Sequence, residues 1–529
     1  MPSDCISYQK SGYFTTLISD YLDEKATLKP LYNRFPNIEN FKDQIAEKAQ
    51  NFPTENRALL VSELEQQYQN FDVSENTLSN IRLLNQPNTF TITTGHQLNL
   101  FTGPLYFLYK IVSTINLCKE LKSEYPEHNF VPIYWMATED HDFEEINYFN
   151  LKGKTIRWNR ESSGPVGRLS TEGLDKVFEV FSKEIGSFTN ATQLKNLFVK
   201  AYLKYDNLAD ATRYLSNELF KNEGLVIIDG DSKALKKLFV PFAKKELLEQ
   251  TSFKKVTETN ELLKDYFVQV NPREINLFYI EDSIRERIVL EKGVYKINNT
   301  SIEFSESEIL TELENNPQKF SPNVILRPLY QEIILPNLCY IGGGGELAYW
   351  LELKSNFEAN NITFPMLLLR NSVLLATQKQ IEKANNLNLK WSDLFANQNV
   401  LITAKTKELS QFNIDFTEQK KHLRKQFEAL EAIANQTDKS FIGAVKAQEA
   451  KQIKGLENLE KRLLKAEKRV LNDKLNRITT LQNELFPNQS LQERKANFSE
   501  FYLEYGDVLI SRLLSELKPL EKHFSIISF

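Results

Sequence analysis

The sequence predicts an α/β protein: a parallel, doubly wound sheet interrupted by insertions, followed by a long antiparallel α-helical coiled-coil hairpin. Three observations carry this. Short apolar runs suited to buried strands alternate with helical segments from Thr89 to Arg370. No proline occurs between Pro365 and Pro487, and proline breaks helix interiors, so this stretch suits long helices. Within it Leu409, Phe416, Leu423 and Leu430 recur every seven residues, as do Leu464, Leu471, Ile478 and Leu485.

In chain order, N-terminal helices and the first half of the core are expected over 1–146. TFTITT (89–94) is a β-branched strand that stops at Gly95-His96. Pro104 sits in the first turn of an apolar helix reaching Lys122. FVPIYWMAT (130–138) is apolar almost throughout, as a buried parallel strand should be. Residues 147–222 break the rhythm and read as an insertion, with a small hairpin at KGKTIRWN (152–159). The core resumes over 223–282 with LVIID (225–229) and LFYIE (277–281). A smaller insertion over 283–325 carries a hairpin at IVLEKGVYKIN (288–298). The second half of the core is 326–402 and includes MLLLR (366–370). The coiled coil is 403–486, with arms 403–434 and 440–486. Its turn is ANQTDKS (434–440), where Thr437 or Asp438 caps the second arm. A helical segment, 487–529, ends the chain.

Composition excludes several classes. The 529 residues hold 65 Lys+Arg against 70 Asp+Glu, a net charge of −5. A general nucleic-acid binder would carry a basic excess. At 41% hydrophobic and 26% charged residues the chain is globular rather than disordered. No apolar run approaches the roughly 18 residues of a membrane span, and the N-terminus shows no signal peptide. Cys5, Cys118 and Cys339 are odd in number and far apart. They fit a cytoplasmic protein in which each is a small buried apolar residue.

Chemistry is expected in three clusters. In TTGHQLNLFTGPLYFLYK (93–110), Gly95 lets the chain turn and sends His96 and Gln97 into the crevice at the sheet edge, where open α/β sheets bind ligands. Lys110 reads as merely solvated. WMATEDHDFEEIN (135–147) holds Glu139, Asp140, His141 and Asp142 directly after a buried strand. These could bind a divalent metal, form a metal-free polar site in which Asp140 holds an ammonium and His141 moves a proton, or be structural. In RPLYQEIILPNLCYIGGGGELAYWLELK (327–354), Gly342, Gly343, Gly344 and Gly345 precede Glu346 and a helix, and bare N–H groups there suit phosphate or carboxylate. Arg327, Gln331, Glu332 and Arg370 are candidate substrate contacts, the arginines as forks for carboxylates. Tyr349 and Trp350 are either helix core or a stacking wall.

Together these stretches, with the heptad hairpin ending in LLKAEKR, resemble the bacillithiol-biosynthesis cysteine-adding enzymes, the BshC family. The resemblance covers nearly the whole chain. It departs at Gly344, where a proline is expected, a change expected to loosen the turn without altering activity. The resemblance implies a Rossmann-like core with connecting-peptide-like insertions and a homodimer. It also implies a reaction joining the carboxyl of cysteine to the amine of glucosaminyl-malate. The core is similar to class I aminoacyl-tRNA synthetases, TGHQ resembling the second half of their HIGH-type signature. By that analogy ATP, or another adenine nucleotide, activates cysteine. His96, Gln97, Gly95, the 342–345 turn and Glu346 would then serve the nucleotide. Asp140 would hold the cysteine ammonium, with Glu139 and Asp142 beside it, and His141 would act as base. Arg327 and Arg370 would meet the malate carboxylates. No metal ligand set and no nucleic-acid or membrane partner is assigned. The rival readings are a metal-dependent hydrolase centred on 139–145 and a non-enzymatic coiled-coil scaffold.

Overall fold

The structure, a computed structural model, describes residues 4–529, apart from the Lys439 side chain. They form two compact units. One takes residues up to 9, 13–374 and 492–527; the other takes 10–12, 375–491 and 528–529. The change of unit after Leu374 lies ahead of the expected boundary at 402; of the last segment, 492–527 joins the first unit, and it ends not in a helix but in the strand His523–Ser528.

Along the first unit run β1 (Thr89–His96), α1 (Tyr106–Glu124), β2 (Asn129–Met136), β3 (Val226–Asp229), α2 (Lys233–Glu249), β4 (Leu277–Glu281), β5 (Ile284–Glu291), α3 (Arg327–Ile334), β6 (Asn337–Gly342), α4 (Gly344–Trp350) and β7 (Met366–Leu369). Five of these strands form one sheet in the order β7-β6-β1-β2-β3, every pair parallel. The chain winds outward from β1 to β3, then returns to the other side of β1 with β6. The reversal puts a topological switch point between the C-terminal ends of β1 and β6, where Rossmann-like sheets open a crevice. All eight residues of β1 are buried, as a central strand covered on both faces requires.

Three expectations change. β4 (LFYIE) is not a core strand. The two-residue turn Asp282-Ser283 joins it to β5, and so short a link permits only antiparallel pairing. With Val294–Ile297, Glu303–Phe304 and Phe320–Pro322 the pair builds a separate five-stranded antiparallel sheet. The insertion therefore starts before 283. Conversely NLCYIG, not among the strands expected from the sequence, is β6, next to the central strand. Finally, α1 starts at Tyr106, so Pro104 precedes it, and the Leu105 N–H already donates to the Ala496 carbonyl at 2.9 Å. The expected hairpin in 147–222 is Tyr148–Leu151 with Lys154–Arg157.

Cys118 and Cys339 lie in one apolar core cluster, while Cys5 is exposed, against expectation. No described helix is long and apolar enough to cross a membrane.

In the second unit α5 (Gln398–Leu409), α6 (Thr417–Ala434), α7 (Lys439–Val470) and α8 (Asn472–Leu485) form the hairpin. Asp438 caps α7 by accepting the Ser440 N–H at 2.8 Å. Leu423, Phe427 and Ala434 of α6 pack on Ile442 and Val445 of α7. Each expected arm is broken, the first over 410–416 and the second at Leu471, and Leu430 of the heptad series is exposed.

Beneath the sheet edge a buried polar chain fixes β6. Asn337 accepts from Thr91 and Thr93 at 3.2 and 2.8 Å and donates to Glu332 at 2.6 Å. Lys48 pairs with Glu332 at 2.9 Å, both essentially buried. Lys48→Met would leave that carboxylate unpaired, so urea unfolding should show a loss of about 3–5 kcal/mol; a loss below about 1 kcal/mol would mean the pair behaves like a surface one.

Candidate active site

The C-terminal ends of β1, β2 and β6 open into a cavity of about 780 Å³. All three sequence clusters reach it. From the first come His96 and Gln97. His96 is 7% exposed, and its ring sits edge-on to Tyr106 and tilted against Phe107, with centroids 5.4 and 5.1 Å away. Burial, then the nearby Lys110 charge, pushes its imidazole well below the usual histidine range, outweighing a hydrogen bond to the Thr102 backbone. Nε2 is left buried and unpartnered. The neutral ring therefore donates to Thr102 through Nδ1 and carries a lone pair on Nε2. The loop beyond is strained: Phe101 and Thr102 both have left-handed φ, 48° and 67°. Asn497 holds it by donating to the Phe101 and Gly103 carbonyls.

Lys110 is not solvated. It is 3% exposed and pairs with Glu346 at 2.6 Å while donating to the Gly95 carbonyl at 2.7 Å. Glu346 also accepts from the Tyr340 hydroxyl at 2.7 Å and the Gly343 N–H at 2.9 Å. Burial opposes its ionisation, but Lys110 and these donors hold its carboxyl below the usual range. Gly343, Gly344 and Gly345 line the cavity; Gly342 ends β6 outside it.

The second cluster forms the next wall. Glu139 pairs with the buried Lys236, yet burial raises its carboxyl. Asp140 accepts from Gln97 at 3.1 Å and lies 4.0 Å from Arg285. Burial works against its charge, but the Arg285 charge, Gln97 and the His141 backbone N–H at 2.8 Å hold it well below the carboxylate range. His141 is 42% exposed at its side chain, and its Nδ1 lies 2.5 Å from Arg285 Nη1. A guanidinium only donates, so Nδ1 accepts and the ring proton is on Nε2. Asp140, His141 and Asp142 could present ligand atoms within 4.8 Å of one another. The arginine already on His141 Nδ1 opposes a cation there, so the trio fits a metal poorly.

Of the third cluster, Arg327 and Tyr349 face the cavity. Arg327 lies 5.7–6.0 Å from the Trp135, Tyr340 and Trp350 ring centroids and donates to Gln331 at 3.0 Å and Tyr349 at 3.4 Å. It has no carboxylate partner among the described residues. Arg370 also lines the cavity, but Glu493 neutralises it at 2.8 Å, both groups buried. Gln331 and Glu332 do not line it; they belong to the chain of bonds under β6. Trp350 is core, stacked on Tyr340 with centroids 4.5 Å apart.

Sequence reasoning missed other polar lining residues, among them Tyr106, Tyr340 and Arg494, and the insertion residues Gln269, Arg273, Arg285 and Arg287. Only Lys110 had left a signal, as the single charge in α1 ahead of Lys119.

A five-stranded parallel sheet with a polar cavity at its switch point defines a Rossmann-like α/β protein whose site lies at the carboxyl edge. Residues 1–371 match the family described as "Bacillithiol biosynthesis BshC, N-terminal Rossmann-like domain", and residues 373–529 match "Bacillithiol biosynthesis BshC, C-terminal coiled-coil domain". The chain belongs to the BshC family. A protein of Flavobacterium johnsoniae is 68% identical over 528 residues, covering 100% of each chain. One of Christiangramia forsetii is 58% identical, covering 100% of this chain and 99% of its own. One of Bacillus cereus is 29% identical, covering 94% and 96%. Each carries the name "Putative cysteine ligase BshC".

Two outcomes follow from this geometry. Gly344 is the first residue of α4, where proline is favoured, and a Cβ there would meet Ile18 and Phe14 at ordinary distances of 3.5 and 3.7 Å. Gly344→Pro should therefore raise stability by about 0.4–1 kcal/mol in thermal unfolding. His96 has a folded-state pKa below its unfolded value of about 6.5. The unfolded chain thus binds the extra proton below that pH, and His96 contributes stability that fades as pH falls, by up to about 1.4 kcal/mol per unit. Urea unfolding at pH 7 and 5.5 should show the wild-type advantage over His96→Gln shrinking at the lower pH.

Proposed function

We propose that this chain joins the carboxyl of L-cysteine to the amine of glucosaminyl-malate to form bacillithiol, with an adenine nucleotide activating the carboxyl. The supporting observation is the convergence of three distant sequence clusters on one cavity at the switch point. The family description and the relatives' names, which speak of bacillithiol biosynthesis and cysteine ligation, support the reading.

Amide formation from a free carboxylate needs a leaving group on the acyl carbon, which the nucleotide supplies as an acyl phosphate linkage. The Gly343–Gly345 turn lets phosphate oxygens approach the backbone, while Gln97, whose amide already donates to Asp140 and Glu145, steadies the acidic wall. Asp140, firmly ionised, suits the cysteine ammonium, with Glu139 beside it. Arg327, lacking a carboxylate partner, suits a malate carboxylate better than Arg370, which Glu493 already occupies. His141 Nδ1 accepts from Arg285, so the proton lost by the attacking amine goes more readily to His96 Nε2, a buried lone pair that stays unprotonated at neutral pH. The exposed Leu430, Ile433 and Phe441 near the hairpin tip suit contact with a second copy, in a cytoplasmic homodimer.

Mass spectrometry of the purified protein with cysteine, glucosaminyl-malate and ATP, each omitted in turn, tests the reading. Bacillithiol and AMP should appear only in the complete mixture. His96→Ala should lower kcat/KM by about 10²–10⁴-fold with the fold intact by circular dichroism. No product from any combination would overturn the assignment.

A further inference from the structure

One wall of the cavity belongs to the insertion rather than to the parallel sheet, and it is built from arginine. Arg285 and Arg287 stand two residues apart on β5, so both project from one face of the strand. Phe278 of β4 pairs directly with Arg287, which places its ring on that same face. The Arg285 guanidinium carbon lies 4.0 Å from the Phe278 centroid, a stacked position that fixes its plane. Glu286, between the two arginines, takes the other face and accepts from Asn299 at 3.1 Å. Arg273, on the segment leading into β4, completes the wall.

The charges do not balance inside the cavity. Glu139 is matched by Lys236, Glu346 by Lys110, and Asp140 by Arg285, while Asp142 lies 3.9 Å from His141 Nε2 and near the Arg285 charge. Arg273 and Arg287 have no carboxylate partner among the described residues. Arg285 is only 9% exposed at its side chain, and its Nε is buried without an acceptor. A buried guanidinium donor left empty is costly, and adjacent cations without a counter-charge repel. Both costs vanish when an anion with several acceptor oxygens occupies the wall, because each planar fork can bind two of them.

We infer that the Arg273–Arg285–Arg287 wall is a subsite for a small anion carrying at least two negative charges. It belongs to other elements than His96 and the glycine turn, and touches the second cluster through Arg285 and His141. Resting on the ligase reading, the wall takes the dicarboxylate end of the amine substrate, with Arg327 in the same cavity open to one of its two carboxylates; a phosphate group would offer the same chemistry.

Isothermal titration of the full chain with L-malate and, separately, with pyrophosphate distinguishes the two. R273A/R287A changes two side chains outside the core, and a thermal melt checks that it folds. Two lost charge-assisted contacts should weaken the matching anion by about 100-fold, and R273K/R287K should recover part of it. A loss confined to malate supports the subsite as a dicarboxylate site. A loss confined to pyrophosphate supports it as a phosphate site. Unchanged affinity for both in the folded double variant, or a wild-type chain that binds neither at millimolar concentration, overturns it. The ligase reading fails separately. If binding depends on the two arginines but the wild-type chain makes no amide, the wall stands and the reaction is wrong. Amide formation with an unchanged KM in the double variant rejects the wall and leaves the reaction.

Discussion

The site hangs on one ion pair, a buried lysine with a half-buried glutamate. Lys110 lies inside an apolar helix, where an unpaired ammonium would cost several kcal/mol. Glu346 and the Gly95 carbonyl offset that cost, and they come from opposite sides of the switch point. Glu346 in turn is saturated by the Tyr340 hydroxyl and the Gly343 N–H. The helix after β1, the end of β1, the end of β6 and the glycine turn are thereby locked to a common position. Gly95 is part of this arrangement, since a Cβ there would stand 3.1 Å from the Tyr340 hydroxyl.

The same lysine sets the character of His96. Its positive charge, added to burial, keeps the imidazole neutral. The neutral ring spends its one proton on the Thr102 backbone and turns a lone pair to the buried side. The strained Phe101-Thr102 backbone is the cost of that orientation, at of order 1–3 kcal/mol per residue. Phe101 anchors it by packing among Phe149, Phe181, Phe198 and Phe498. A tight aromatic cluster outside the cavity thus holds the orientation of a histidine inside it.

Much of this was legible in the sequence, for physical reasons. Buried parallel strands are apolar along their whole length, so β1, β2, β3 and β7 stand out, and polar residues directly after them mark the carboxyl edge. β6 was hidden because its short apolar run passes straight into four glycines. β4 is as apolar as a core strand, and only the tight turn into β5 reveals its antiparallel place. The outer wall of the site could not be read at all. Arg273, Arg285 and Arg287 alternate with ordinary surface residues, and nothing local says that their strand closes over a cavity formed by residues nearly two hundred positions earlier. Gln331 and Glu332 mislead in the opposite sense: their neighbours in sequence face the site, while helical geometry turns them beneath the sheet.

The two interruptions of the hairpin are staggered. Glu460 pairs with Lys420 at 2.5 Å and Lys468 donates to Thr403 at 3.0 Å, so the gap at 410–416 faces an unbroken stretch of α7. Leu471 lies between Lys468 and Asn483, which accepts from Gln398 at 2.9 Å, so the second gap faces unbroken α5. As in bonded brickwork, no seam crosses both courses. Bending at either joint must also bend an intact helix, so the hairpin resists flexing like a continuous rod, although neither of its strands of chain is continuous.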